Sequence, residues 1–431
     1  MKSSIKHIMS SPSLWQEQRP GRGFAALSGD EQCDVCIVGA GITGAACAWR
    51  LLEHGLAVTI VEGRETAAAA SGRNGGFAVT GMALELAHVA DLLGEAEAIR
   101  LHRTTEAALE EMSAMAAELR VPEAIRRTGS LWLADARERD DLVETVRLAQ
   151  AAGIRCRPAS DMIPETMRDD HPAAAFFEDD AELMPAAWVR ALAEAAADRG
   201  ARVFERSPVT GLAQDGQGWT IAAGGGSVRA QAIVVASDGL IPRLVPQLDG
   251  AIYPVRGQVV ATAPLERMPL ACPTHSQSGF MYYRPTVDGR LVVGGGRLEQ
   301  LEAEYTDEER TTAPVQRVLD RFLRDRLGMT DAPITHRWAG IMGFSADLLP
   351  VVGEVPGRPG LHVAGGYSGV GNVHGYLCGR IVADLIAAGS HPDAATFDVA
   401  RFDARPVEQL EKTRSRELAG SLGFARSEGV L

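Results

Sequence analysis

The chain has 431 residues, 46% hydrophobic and 23% charged, with a formal net charge of −13. That length divides into two or three domains with capacity for a large core. The acidic balance argues against nucleic acid or an anionic membrane as the main partner, and no run approaches the ~20 apolar residues of a membrane-spanning helix.

The first 30 residues carry Lys2 and Lys6 but no apolar run like a signal-peptide core, which places the expected location in the cytoplasm. The stretch from Val35 to Glu62, VCIVGAGITGAACAWRLLEHGLAVTIVE, then reads as strand, glycine turn, amphipathic helix, strand and carboxylate. Gly39 permits a tight turn out of the strand, Gly41 lets backbone approach a pyrophosphate, and Gly44 lets the helix pack closely on the sheet. The helix starting near Ile42 turns its unpaired amides and positive dipole end toward phosphate. Glu62, at the end of the second strand, is placed to accept from ribose hydroxyls. An ordinary strand–helix–strand turn would leave the acid and three correctly spaced glycines as coincidences.

A polar, glycine-rich loop follows, GRETAAAASGRNGGF, where a nicotinamide enzyme would normally start a third strand. Such a loop suits a long cofactor lying along backbone amides. Further on, residues 83–120 have helical spacing, 127–134 read as a strand and 138–152 as a helix. A helix at 188–200 precedes the strand and turn RVFERSPVTGL, and residues 218–223 and 228–236 alternate as a hairpin. Residues 251–296 are strand-rich, and a charged helix covers about 306–327. Near the C-terminus, WAGIMGFSADLLPVVG leads to a strand at 361–364, a glycine turn and a helix at 372–388.

The SGRNGG loop, the fingerprint and the C-terminal strand–turn–helix together resemble the D-amino-acid oxidase superfamily, and within it γ-glutamylputrescine oxidase and sarcosine or glycine oxidase relatives. The resemblance runs from about residue 30 to 405. It implies an α/β fold of the glutathione-reductase type: a Rossmann-like FAD-binding domain interleaved with a mixed-sheet α+β substrate domain. The expected FAD segments are 31–85, 180–245 and 335–400, and the substrate segments are 86–179 and 246–334. Residues 1–30 form an N-terminal arm and 406–431 an appendage.

The same resemblance extends the cofactor contacts from Gly39, Ala40, Gly41, Ile42, Thr43, Gly44 and Glu62 to Gly63, Arg64, Ala70, Ser71, Arg73, Asn74, Gly75 and Gly76. It adds Val209, Ala236 and Gly239 from the middle of the chain. From the C-terminal part it adds Gly340, Gly366, Tyr367, Ser368, Gly369, Gly371 and Asn372, the last helix pointing at the flavin ring. Relatives that bond flavin covalently use a cysteine near the WAG segment or a histidine in the loop after the fingerprint. Residues 338–347 and 66–78 contain neither, so FAD is expected to be held non-covalently.

The implied reaction is oxidation of a C–N bond in a small amine or amino acid by hydride transfer, giving an imine that hydrolyses. Oxygen or a quinone-type acceptor would reoxidise the flavin. A 2-hydroxy-acid dehydrogenase on the same fold, or a flavin-bound subunit of a heteromeric dehydrogenase, remain the alternatives. Arg284 in YYRPTVDG resembles a carboxylate-clamping arginine, with a salt bridge in a hairpin as the other reading. Tyr253, Tyr282 and Tyr283 are candidates for aromatic walls, although alternate members of a strand face opposite ways. Trp338 and His275 are further candidates, and Arg256 reads as structural. Where relatives carry SGHG, and glycine oxidase an arginine nearby, this chain has Ser368, Gly369, Val370 and Gly371. Half of an amino-acid clamp is therefore absent, which leaves a larger amine or imino acid open.

Cys33 and Cys36 form a CxxC, but no second pair accompanies them and no histidine pair has ligand spacing. The six cysteines read as small buried hydrophobes in a reducing compartment, with no metal site. Lysine occurs only at Lys2, Lys6 and Lys412. Residues 7–411 therefore hold neither a P-loop lysine nor a Schiff-base lysine. They also lack the lysine that promotes oxygen reactivity in sarcosine oxidase relatives. Arg284, Arg73, protonated His374 or the helix dipole near Asn372 would have to replace it.

Overall fold

The structure, a computed structural model, describes residues 11–216 and 218–403. The expected appendage at 406–431 lies outside them.

Strand β1 (Asp30–Val38) is buried over its apolar second half and ends at Gly39, whose φ of +110° turns the chain sharply. Helix α1 (Ile42–Glu53) crosses back over the sheet and leads to β2 (Val58–Val61), parallel to β1. The helix sits hard against the turn, because a Cβ on Gly44 would lie 1.9 Å from the Gly39 carbonyl oxygen. On the other side of β1 runs β3 (Gly226–Val235), parallel to it. The first half of β3 also pairs with residues 218–223, which with 209–215 complete a meander.

A second sheet begins with β4 (Ile252–Thr262), β5 (Met281–Pro285), β6 (Leu291–Gly295) and β7 (Ile334–Ser345), in the order β7-β4-β6-β5. Residues 274–276, 130–134, 173–177 and 156–158 extend it. β8 (Leu361–Gly365) then returns to the first sheet beside Ile233–Val235 of β3, and α2 (Gly371–Ala388) packs across α1. Each sheet therefore draws on separated stretches of chain. The expected boundary at 335 grouped β7 with the flavin segments, yet it pairs with β4 from Ile252–Ser345 to Thr262–Ile334, at the edge of the second sheet. Its apolar run suits either sheet, and only the partner strand decides.

Two helices depart from the expected spans for local reasons. The 83–120 stretch divides at Gly94, with φ +88°, into Leu86–Leu93 and Glu95–Glu118. The charged helix starts only at Ala313, where Pro314 occupies the first turn. That helix covers the back of the second sheet, and Tyr283, Val293, Leu319 and Leu323 share one core there.

The opposite face of the second sheet follows from register. Paired residues point the same way, so Gly340 with Gly257, Met342 with Val255, Phe344 with Tyr253, and Tyr282 with Gly294 share it. Gly257, Gly294 and Gly340 let neighbours approach this face closely: a Cβ on Gly294 would lie 2.1 Å from the Tyr282 ring, one on Gly257 3.2 Å from Met342 Cε, and one on Gly340 3.1 Å from the Arg73 carbonyl oxygen.

Crossing of α1 and α2 requires small residues. A Cβ on Gly379 would lie 2.5 Å from the Thr43 carbonyl oxygen, and one on Gly375 would lie 2.6 Å from Ile42 Cγ2. Because the Gly379 obstacle is backbone, Gly379→Val is expected to destabilise the fold by about 1–3 kcal/mol. Gly211→Ala, with nothing within 4 Å, serves as the control. Thermal melting of both variants checks this, and equal melting temperatures would contradict the close crossing.

Candidate active site

The helix crossing sets the two N-termini side by side, joined by a 2.8 Å hydrogen bond between Thr43 Oγ1 and the Tyr367 hydroxyl. Neither helix has a side-chain cap at its N-cap residue. The Ile42 amide donates to Ser71 Oγ at 3.0 Å and the Ala40 amide to Glu62 at 2.8 Å. Among the described residues, the amides of Gly41 and Thr43 find no acceptor. Free amides at the positive end of a helix form an anion cradle. The Gly41 Cβ position is open except for Ser71 Oγ, 2.8 Å away.

Glu62, at the end of β2, accepts from Ala40 and, at 2.8 Å, from the Arg64 amide. Burial pushes its carboxyl above the usual range, and these two donors pull it back. Arg64 makes a bidentate pair with Glu309 at 2.9 and 3.1 Å. Gly63 packs on Pro208, the neighbour of Val209, and the Ala236 carbonyl lies 2.8 Å from where a Gly39 Cβ would be.

The short helix Ala70–Arg73 and the turn through Gly75 and Gly76 are stitched to α2. Asn74 and Asn372 exchange side-chain hydrogen bonds at 3.1 Å, Asn372 also donates to the Phe77 carbonyl, and Asn74 accepts from the Gly76 amide. Arg73 donates to the Ala339 carbonyl at 2.6 Å, while the Arg73 carbonyl accepts from Trp338 Nε1 at 2.9 Å. Gly340 lies against the Arg73 backbone. Gly366, Ser368 and Gly369 all have positive φ in the turn into α2, and Ser368 Oγ accepts from the Ser345 amide. Gly239 packs on the Met342 carbonyl. The expected cofactor residues thus converge from three parts of the chain.

The expected catalytic residues do not converge. Arg284 is buried and fully engaged: it pairs with Glu182 at 2.9 Å and donates to the Gly75 and Leu183 carbonyls. Of its two sequence readings, the geometry matches the salt bridge, though inside the protein. Tyr283 points into the core behind the sheet, its hydroxyl 3.5 Å from Met167 Sδ. Trp338 is buried edge-on to Trp15. His275 packs on Trp132 with centroids 4.5 Å apart, and burial lowers its pKa to about 4. Tyr253 lies on the face of the second sheet shared by Gly340 and Phe344, 6.1 Å from the Phe344 ring and 5.6 Å from that of Tyr305.

Sequence reasoning missed Asp238, Phe344, Tyr305 and Arg297. Asp238 Oδ2 accepts from the Gly343 amide at 2.7 Å and Oδ1 from the Gly366 amide at 2.9 Å. Phe344 was legible from its place two residues beyond Met342 in the quoted motif; Asp238 opens a short 3-10 helix, and Arg297 and Tyr305 lie in connecting segments, so none of the three has a periodicity to read. All six cysteines are buried free thiols, and burial pushes Cys36, Cys47 and Cys378 well up. No helix among the described residues is long and apolar enough to cross a membrane.

Residues 34–385 match the family described as DAO, FAD dependent oxidoreductase. The chain belongs to that family. As a member it is a flavoenzyme, and its cofactor is FAD. It is 28% identical over 372 residues to the probable oxidoreductase OrdL of Rhizobium meliloti (strain 1021), covering 84% of this chain and 85% of that protein. It is 29% identical over 383 residues to glycine oxidase of Geobacillus kaustophilus, covering 86% and 96%. The crystal structure of that glycine oxidase superimposes with a TM-score of 0.72 at 25% identity, covering 86% of this chain and 99% of the other. Identity to γ-glutamylputrescine oxidoreductase of Escherichia coli is 26% over 402 residues, covering 88% of each.

The residues present fit the cofactor. The unpaired amides at Gly41 and Thr43 would hold its pyrophosphate and Glu62 its ribose. Glu62→Gln is expected to weaken FAD binding by about 1.5–3 kcal/mol, roughly 10- to 150-fold, through loss of a charge-assisted bond. Fluorescence titration of apoprotein with FAD measures this; unchanged affinity would remove Glu62 from the site. With no cysteine or histidine at 66–78 or 338–347, acid precipitation is expected to release all yellow colour into the supernatant. Colour retained in the pellet would show a covalent link.

Proposed function

We propose that this flavoenzyme oxidises a C–N bond of a small amine or amino acid, giving an imine that water hydrolyses to a carbonyl compound and ammonia or an amine. The observation that carries the reading is the glycine-lined, aromatic-edged face of the second sheet, tied through Arg73 and Asn74 to the two helix N-termini. Family relatives named for glycine and γ-glutamylputrescine support an amine as the reacting group. FAD, when bound, supplies the two-electron acceptor; the chain's task is to hold the amine neutral, orient its C–H bond and exclude water.

Among the described residues no protein base is offered on this face. Glu304 is committed to Arg256 and Gln258, Glu182 to Arg284 and Arg126, and Asp238 to backbone amides. Burial lowers both His275 and His374 to about 4, so each is neutral from pH 5 to 9. The ammonium form of the substrate must therefore lose its proton to solvent before reaction. Flavin reduction measured anaerobically should rise with pH along the amine's own pKa, shifting when the amine is changed. A rising limb fixed near pH 6–7 for every amine would reveal a protein base. Bleaching by 2-hydroxy acids but by no amine would overturn the C–N reading itself.

Reoxidation follows from the same charges. Arg73 and Arg284 are locked into carbonyl and carboxylate contacts, and His374 is uncharged at neutral pH. Of the four groups named as replacements for the absent lysine, the dipole of α2 is what remains to stabilise an anion formed as oxygen is reduced. Stopped-flow mixing of reduced enzyme with oxygenated buffer should give slow reoxidation, outpaced by a quinone-type acceptor. A rate matching the fastest flavoprotein oxidases would refute this.

A further inference from the structure

Arg297 follows the three glycines, 294–296, at the end of β6, and it is 9% exposed. Its guanidinium lies 4.3 Å from the Phe280 ring centroid and 5.6 Å from that of Phe344. Rings stacked on a guanidinium occupy its faces and leave its in-plane N–H donors to find acceptors elsewhere. Among the described residues no acceptor lies within hydrogen-bond reach of them, and no carboxylate pairs with the guanidinium. Glu304 is near enough to act on Arg297 electrostatically, but its oxygens bond Arg256 at 2.8 and 2.9 Å and Gln258 at 3.0 Å.

The other buried arginines behave differently. Arg284 and Arg256 each have a carboxylate and backbone carbonyls. A largely buried cation without such partners leaves donors available to an anion that joins it. Its surroundings show where that anion would come from. Phe344 and Tyr253 lie on the front face of the second sheet, and Tyr282 and Tyr305 are also within electrostatic range. Burial pushes Tyr282 up to about 12, so its hydroxyl stays neutral and supplies no counter-charge.

We propose that Arg297 is the specificity-determining residue for an anionic group on the substrate, so that the amine oxidised is one bearing a carboxylate. The choice of an amine rests on the function proposed above; the anion site does not. Planar, bidentate N–H geometry matches a carboxylate, with the flanking rings contacting the carbon chain between the two groups. This arginine comes from the end of β6, so the missing arginine at the turn containing Val370 does not exclude an amino acid.

The test uses the FAD-loaded enzyme and the flavin absorption spectrum, titrated with acetate and benzoate and with their neutral counterparts acetamide and benzamide. Wild type should bind at least one acid more tightly than its amide. Arg297→Gln should lose that preference, weakening the acid about 100-fold while leaving the amide within a few-fold, and Arg297→Lys should restore part of it. An acid titration unchanged in Arg297→Gln, or no preference for either acid in wild type, would overturn the proposal. The wild-type comparison decides even if Arg297→Gln fails to retain FAD. If the preference depends on Arg297 but no amine bleaches the flavin, the anion site stands and the C–N reading falls. If amines bleach the flavin equally with and without a carboxylate, the anion site falls alone.

Discussion

Asp238 holds the two sheets together. A buried carboxylate is tolerated only where donors replace its lost water, and here those donors come from the second sheet and from the end of the first. Gly343 belongs to β7, and Gly366 follows β8. Desolvation raises the Asp238 pKa, and the amides of Gly343, Gly366, Tyr367 and Gly239 oppose that rise. Removing the carboxylate would leave amides from two sheets unpaired at one point. The glycines around it are equally constrained: a Cβ on Gly343 would lie 2.3 Å from Asp238 Oδ1. Asp238 itself has φ +48°, a left-handed conformation that its hydrogen bonds hold in place.

From that junction the cleft follows. β8 is fixed beside β3, so the turn through Ser368 delivers α2 next to α1, and glycines at 375 and 379 let the two helices touch. The SGRNGG loop then closes the space between the helices and the second sheet, through Asn74–Asn372 on one side and Arg73–Ala339 on the other. Position is thus set by backbone groups on rigid elements, which is what a cofactor contacted along its whole length requires.

The flavin half was legible in the sequence because its constraints are local. Gly39, Gly41, Gly44 and Glu62 lie within one strand–helix–strand unit, and each has a steric or hydrogen-bonding reason that spacing alone reveals. The substrate half was not. Strand alternation separates Tyr282 from Tyr283 but cannot say which faces the cleft, since that depends on whether the helix at Ala313–Asp325 covers one side or the other. Arg284 and Arg297 flank the same hairpin, and nothing near either distinguishes them. What differs is distant in the chain: Glu182 neutralises Arg284, while Arg256 and Gln258 take the carboxylate of Glu304 that could have served Arg297.

The near absence of lysine has a structural side as well. Arg73 reaches the Ala339 carbonyl, Gln16 and the Ser11 carbonyl; Arg190 reaches carbonyls of Gln16, Arg19 and Thr66; Arg284 joins Glu182 to two carbonyls. Each fork ties segments far apart in sequence, using several donors in fixed directions, which a single ammonium on a flexible stem does less well. Charge is incidental to that work, because carbonyl dipoles and carboxylates largely compensate it. A buried arginine in this protein is therefore ordinarily a connector, recognisable by the number of acceptors it gathers. Arg297 gathers none among the described residues, although its guanidinium has the same five donors. With a net charge of −13 opposing the approach of anions, an unpaired guanidinium beside the cleft supplies local attraction that the protein's overall field does not.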